Sequence, residues 1–295
     1  MANWVNIFPP AIVALVLVIA FVLGAVFASF IGCVAWRRVA GENPWRGRSH
    51  CDGCNRVLSA LDLIPIVGWL ACKGRCAQCG CKVSARGPVT EALLGIVFVL
   101  VILRFGLGVP AIMYCALAVI LLGLSLVDLD SMTIPNAFII AAIVVWVLGV
   151  AASAVAPASS LVAAPAVTNQ VAAIGAAQSQ AFLGQLVEGA LGAIVMGVLL
   201  LLFSMAFEKV TGKVGFGGGD VKLIFAAGLY IGLPLSVFSI IVSCILGLVI
   251  AAVLQRKTAD GKSAPFPFGP AIAAATMVTI LVGPAFLGWY LALFL

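Results

Sequence analysis

The sequence predicts an all-α polytopic membrane protein of about eight transmembrane helices with a small zinc-binding cytoplasmic insert. Of its 295 residues, 64% are hydrophobic and 9% charged, whereas a soluble globular domain is about 45–50% apolar and about 25% charged. Several uncharged stretches exceed the roughly 18 residues that mark a spanning helix. The basic residues are gathered into a few connections, and one of these also holds six of the nine cysteines. The net charge of +6 is therefore read by position, as a signal of membrane orientation, and no nucleic-acid partner is expected.

In chain order, the apolar run from Ile7 to Trp36 has no basic segment ahead of it and is too long for a signal-peptide core. It reads as a retained helix near 10–35, so residues 1–36 form a first transmembrane unit. Residues 37–87 follow as a polar, basic segment. Further spans are expected near 88–104, 110–127, 136–156, 183–207, 220–232, 234–254 and 268–293. Gly232 and Pro234 divide the pair 220–254, and Gly283-Pro284 marks either a kink or a division in the last span. Pro157 to Gln180, rich in Ala, Ser and Val and free of charge, reads as a flexible linker.

Lys and Arg are retained on the cytoplasmic side of a membrane. With eight spans, Arg37, Arg38, Arg46, Arg48, Arg56, Lys73, Arg75, Lys82 and Arg86 share a side with Lys209, Lys213, Lys222, Arg256, Lys257 and Lys262. Only Arg104 falls opposite. This arrangement puts both termini outside and makes 37–87 the one sizeable cytoplasmic domain. A segment of that length rarely folds without a metal, a disulfide or docking to a partner.

Cys51-Asp52-Gly53-Cys54 and Cys76-Ala77-Gln78-Cys79 are two C-x-x-C knuckles at zinc-ribbon spacing. Two residues between thiolates let a tight turn aim both sulfurs at one tetrahedral ion, and two such turns close its shell. A four-thiolate shell has no open position, so the ion is structural. A pair of disulfides is disfavoured by a reducing compartment, and a redox role of the C-x-x-C pairs is the third possibility. Cys72 and Cys81 are further thiols beside the set. The only histidine, His50, adjoins Cys51, and a single histidine makes a Ser-His-Asp triad or a histidine-rich metal site hard to build in the membrane portion.

Charged groups at spans are functional hypotheses because burying them is costly. Asp128 and Asp130 end the third span, and Asp220 follows Gly217-Gly218-Gly219 at the start of the sixth. Two carboxyls from different helices can share a proton, one acting as base on a water while the other donates to a scissile carbonyl. Two positions turn a helix by about 200°, so Asp128 and Asp130 cannot both face one site, and the deeper Asp128 is the catalytic choice. The alternative is that these carboxylates are helix caps. Gly217 and Gly219 would allow close backbone approach and loop movement. Lys222 either favours an ionised Asp220 or anchors the chain at the boundary. Glu91 either orients a substrate or pairs with Arg86.

Taken together these residues resemble the bacterial type IV prepilin peptidases, the prepilin leader peptidase/N-methyltransferase family, almost end to end. Ser29-Phe30 with Arg37 or Arg38 resembles the first-helix motif. Cys51 through Leu61-Asp62-Leu63-Ile64-Pro65 and Gly68-Trp69-Leu70 to Cys79 resembles the two-knuckle insert. Asp128-Leu129-Asp130 with Ile134-Pro135-Asn136, Gly217-Gly218-Gly219-Asp220-Val221-Lys222, and Pro267-Phe268-Gly269-Pro270 resemble its remaining signatures. Gly32 stands where Asn is common, and Arg86-Gly87-Pro88-Val89-Thr90-Glu91 replaces Arg-Tyr-Pro-x-x-Glu.

The resemblance implies an aspartic endopeptidase of the bacterial inner membrane, with Asp128 and Asp220 as its catalytic pair. Its substrates would be prepilins and pseudopilins, cleaved at the cytoplasmic face after the glycine that ends a basic leader. It also implies N-methylation of the new terminus with S-adenosylmethionine, associated with the insert 37–87, while 88–295 forms the peptidase part. A carrier with carboxylates lining an ion path would show internal repeats, and none is found. A membrane thiol oxidoreductase would need its cysteines on the oxidising side.

Overall fold

A computed structural model describes residues 4–155, 171–212, 217–255 and 267–293. Among them the helices are α1 (Trp4–Ile7), α2 (Pro10–Val39), α3 (Val67–Ala71), α4 (Arg86–Phe105) and α5 (Val109–Ser131). They continue with α6 (Asn136–Val155), α7 (Val171–Thr211), α8 (Gly218–Gln255) and α9 (Gly269–Leu291). The described residues contain no strand, only isolated bridges between His50 and Val57 and between Arg75 and Lys82.

Seven of these helices are long and apolar enough to cross a membrane, where eight spans were expected. The difference lies in α8. As a straight rod its 38 residues would reach about 57 Å, nearly twice the ~30 Å hydrocarbon layer. It is instead broken at Gly232, whose φ of 71° and ψ of 173° leave the helical region. Pro234, which lacks an N–H, adds to the break. The two arms fold back on each other: Ile224 and Ser243, and Ile231 and Ser236, line one small cavity. The expected division at 232–234 is therefore present as a sharp turn inside one element. α9, by contrast, runs unbroken past Pro284.

The linker expected at 157–180 is corrected in part, because α7 already begins at Val171. The segment is alanine-rich, and alanine has the highest helix propensity. Residues 157–170 lie outside the described residues, as do Lys213, Arg256, Lys257 and Lys262.

The bundle is apolar on its outside as well as its inside. Leu15, Val22, Phe30, Leu148, Leu199, Leu202 and Leu248 are exposed, the pattern of helices whose solvent is lipid. Between helices small residues set the spacing: a Cβ on Gly24 of α2 would lie 2.7 Å from the Leu94 carbonyl of α4. Lipid gives no hydrophobic drive for association, so such close backbone packing supplies the van der Waals contact that does. α5 is central, with Leu117, Leu121 and Leu124 buried between its neighbours. Buried hydroxyls bond within their own helices, Thr276 to Ile272 at 2.7 Å and Thr279 to Ala275 at 2.7 Å, so no polar atom of theirs is orphaned.

Residues 40–85 form the insert. Its one short helix, α3, follows Ile66, which occupies a γ-turn at φ 62° with its neighbours Pro65 and Val67 hydrogen-bonded across it. Positive φ is rare for a β-branched residue. Arg56 pairs with Asp62 at 3.0 Å, and Ser59 donates to the same carboxylate through its N–H and its hydroxyl. The Ser59 donors, ahead of Arg56, hold the Asp62 carboxyl below the usual carboxylate range.

Candidate active site and metal cluster

Three helix ends meet at one end of the bundle. The first is the last turn of α5, which carries Asp128. The helix closes with Met132 in the left-handed conformation (φ 51°, ψ 34°), its N–H bonding the Asp128 carbonyl at 2.8 Å. Asp128 is 4% exposed. Its Oδ2 accepts the N–H of Gly269, the first residue of α9, at 3.0 Å. A Cβ on Gly269 would sit 2.6 Å from that same oxygen, so only glycine lets the α9 backbone come this close.

The third helix end is the start of α8. Asp220 N–H donates to the Gly217 carbonyl at 3.0 Å, while Gly217 N–H donates to Asp220 Oδ2 at 3.2 Å. The second bond is one half of a capping box, in which the side chain at the third helical position accepts the N–H of the N-cap residue. Gly219 seats the turn on the α5–α6 connection, since a Cβ there would lie 2.9 Å from the Ile134 Cβ. Lys222 donates through Nζ to Asn136 Oδ1 at 3.0 Å. It therefore joins the two aspartate-bearing segments to each other and pairs with neither aspartate.

Asp128 and Asp220 come from helices far apart in sequence and lie near enough for the charge of one to act on the other. Among the described residues no cation forms an ion pair with either. Asp130 points elsewhere: Arg86 Nη1 meets its Oδ1 at 2.6 Å and Arg86 Nη2 donates to the Leu126 carbonyl at 3.1 Å. The helical rotation between positions 128 and 130 separates their environments as expected. Two carboxyls, each held by one backbone N–H and neither paired with a cation among the described residues, are the groups that the acid–base chemistry of an aspartate pair would require.

The second cluster lies in the insert. Each knuckle is a turn closed by an isolated bridge, with Cys51 N–H bonding Arg56 O and Cys76 N–H bonding Cys81 O, both at 2.9 Å. The residue after each second cysteine, Asn55 (φ 55°) or Gly80 (φ 68°), takes the left-handed conformation, and Asn and Gly are the residues that do so at least cost. The sulfurs of Cys51, Cys54, Cys76 and Cys79 all lie within 4.8 Å of one another. Cys51 and Cys79 are 3.8 Å apart and Cys54 and Cys76 4.0 Å. A tetrahedral ion with Zn–S bonds of about 2.3 Å sets its sulfurs about 3.8 Å apart, so the four fit zinc.

Four thiols this close cannot all ionise without a cation among them. The N–H groups of Cys79 and Gln78 draw Cys76 down to about 6. Cys54 is pushed up to about 11: the Arg56 N–H pulls it down, but burial and the neighbouring sulfurs outweigh that. Cys81 lies 3.3 Å from Cys51 and is pushed up to about 12 by the sulfurs of Cys79 and Cys51 and by burial. It is a fifth sulfur beside the set of four. All nine cysteines are free of disulfides.

Residues 22–105 match the family model described as the bacterial peptidase A24 N-terminal domain, and residues 115–252 match the type IV leader peptidase family. A prepilin leader peptidase/N-methyltransferase of Aeromonas salmonicida is 30% identical over 247 residues, covering 83% of this chain and 75% of that protein. The chain belongs to the prepilin leader peptidase/N-methyltransferase family. The protein of that name in Bacillus subtilis is 29% identical over 282 residues, 92% of this chain and 97% of its own length. A type 4 prepilin-like proteins leader peptide-processing enzyme of Escherichia coli is 30% identical over 290 residues, covering 91% and 95%. No solved structure matches the chain.

Within this family frame the two matched regions divide the clusters, the cysteines falling in the first and both aspartates in the second. Glu91 departs from its expected pairing with Arg86, because Arg86 is taken by Asp130. The buried Glu91 instead accepts the N–H of Ile66 at 2.7 Å through Oε2, fastening the strained turn of the insert to α4. Gly269 and Asn136 were legible only as members of motifs. Their contacts, to Asp128 and Lys222, are between segments more than eighty residues apart.

Proposed function

We propose that this protein is a membrane aspartic endopeptidase that removes the basic leader of type IV prepilins and pseudopilins after glycine. Cleavage takes place at the cytoplasmic face of the bacterial inner membrane. The observation that carries the reading is the placement of Asp128 and Asp220 at the bundle end that bears the insert, near enough for the charge of one to act on the other and each held by a backbone N–H from a glycine. One carboxylate takes a proton from a water whose oxygen attacks the carbonyl carbon of the scissile peptide bond. The other, protonated, donates to the carbonyl oxygen. Collapse of the tetrahedral adduct breaks the C–N bond, and the leaving amine takes a proton. No covalent intermediate with the protein forms. Gly217 and Gly219 position Asp220, and Lys222 holds the two segments in register.

Cys51, Cys54, Cys76 and Cys79 would hold a structural zinc ion, which supplies the insert with a closed, non-catalytic cross-link. The names of the relatives support a second activity, methylation of the new N-terminal amine by the part built on residues 37–87. S-adenosylmethionine supplies the methyl group. The peptidase part is 88–295; with the two arms of α8 counted separately the number of crossings is even, so both termini share a side, and the basic connections on the opposite side put them outside. Prepilin cleavage by wild type, Asp128→Asn and Asp220→Asn in membranes tests the reading, with mass spectrometry of the released N-terminus. Each variant is expected to lose at least ~100-fold of the rate at normal protein level, the lower range for acid–base groups. A product heavier by one methylene adds the methyl transfer. Undiminished cleavage in both variants would return the aspartates to a capping role.

A further inference from the structure

The end of α2 carries a positive charge that has no counter-ion among the described residues. Arg37, in the last turn, is 8% exposed. Among the described residues the one hydrogen bond of its side chain runs from Nη2 to the Gly47 carbonyl at 2.9 Å. Gly47, at φ 117°, turns the insert backbone against the guanidinium, and a Cβ there would approach Nη2 to 3.5 Å. A guanidinium has five N–H donors, so most of its donor capacity is open.

Removing a charge from water without a partner is costly, and the other buried or half-buried arginines of this region have their anions: Arg56 has Asp62, and Arg86 has Asp130. Arg37 and Arg48 instead face a cavity of about 240 Å³, shared with Trp36, Ser49, His50 and Asp52. Asp52 is the acidic group on its wall and forms no ion pair with either arginine. The His50 ring stands edge-on to Trp36 with centroids 6.1 Å apart. Two guanidinia, a hydroxyl and an imidazole around one space are a donor set for a tetrahedral oxyanion.

The position of the cavity selects among oxyanions. Arg37 terminates a helix long enough to span the bilayer, and Trp36 beside it is exposed on the outer surface, as aromatic residues are at headgroup level. Basic pockets at that level meet lipid phosphates before any solute. We propose that Arg37 and Arg48 bind the phosphate of an anionic phospholipid headgroup in the leaflet on the side of the insert. The bound phosphate replaces the missing counter-ion and fastens the Gly47 turn to the membrane surface.

The test is native mass spectrometry of the full chain in detergent, supplied with phosphatidylglycerol or phosphatidylcholine of matched chains, with inorganic phosphate as a third arm. Wild type is expected to retain phosphatidylglycerol preferentially. Arg48→Gln, whose side chain is exposed and makes no bond that the fold needs, is expected to weaken that retention about fivefold, the scale of one basic residue at an anionic surface. Arg37→Lys, which keeps the charge but not the fork, is expected to weaken it less than Arg37→Gln. Lys73→Gln, a basic residue elsewhere in the insert, is expected to leave it unchanged. Equal retention of the two lipids, no effect of Arg48→Gln, or an equal effect of Lys73→Gln would overturn the site. Displacement of phosphatidylglycerol by inorganic phosphate at comparable concentration would make the ligand a free oxyanion and overturn the lipid assignment.

Discussion

Gly269 shows how much of the site rests on the absence of one methyl group. Its N–H and the bare Cα allow α9 to approach Asp128, and a Cβ would come within 2.6 Å of Oδ2. Gly269→Ala is expected to lower prepilin cleavage at least ~100-fold, on the scale of lost acid–base function, through displacement of the carboxyl. Gly217→Ala is the comparison: its Cβ would meet Asp220 Oδ2 at 3.4 Å, an ordinary contact. It should cost clearly less. Equal losses in the two variants, measured as initial rates at equal protein level, would mean that approach of α9 to Asp128 is not what limits the site. The separation of Asp128 from Asp130 was legible without any structure, since the turn of a helix per residue is fixed. The choice of Gly269 as the donor was not, because it depends on a contact across 141 positions.

At the scale of elements, α5 is held at its functional end by a latch from α4. Arg86 binds Asp130 and the Leu126 carbonyl, so the last turn of α5 is tied to the first residue after the insert. The side chains of the pair are 42% and 33% exposed, and water screens such pairs to below ~1 kcal/mol. Asp130→Asn is accordingly expected to reduce cleavage by less than about fivefold, far short of the loss in Asp128→Asn. Because the two partners share one contact, while Arg86 also bonds the Leu126 carbonyl, the effects of Arg86→Gln and Asp130→Asn in the double variant should fall short of their sum and come close to that of Arg86→Gln alone. Full additivity in a double-mutant cycle of cleavage rates would show that the latch does not transmit to Asp128. The break in α8 belongs to this scale too. Gly232 and Pro234 announced it, but the folding back of the two arms depends on side chains such as Ile224 and Ser243 lying against one space.

Across the whole molecule, the insert is joined to the bundle by a few directional contacts and is held internally by its cysteines. Ile66 bonds Glu91, Gly47 bonds Arg37, and Arg86 closes the exit. With so little apolar core of its own, the insert would draw its stability from a metal ion held by the four cysteines, where binding energy is folding energy. The purified chain is expected to hold one equivalent of zinc by elemental analysis. Cys54→Ser or strong chelation should remove it and expose the stretch 40–85 to limited proteolysis while the spans stay protected. Zinc-free protein with a protease-resistant insert would overturn the structural role.

The sequence by itself determined the membrane class, the helical spans, the knuckle cysteines and the pair of aspartates that stand at span ends. Each of these follows from local quantities: hydropathy over one helix length, the two-residue spacing of thiols, and the price of a charge beside lipid. Only the tertiary structure decided what those groups touch. Arg86 met Asp130 and not Glu91, Lys222 met Asn136 and not an aspartate, α7 began within the stretch that composition marked as a linker, and Arg37 met no anion among the described residues. Such outcomes depend on the relative height and rotation of separate helices, which packing between small residues fixes, and no local pattern in the chain encodes them.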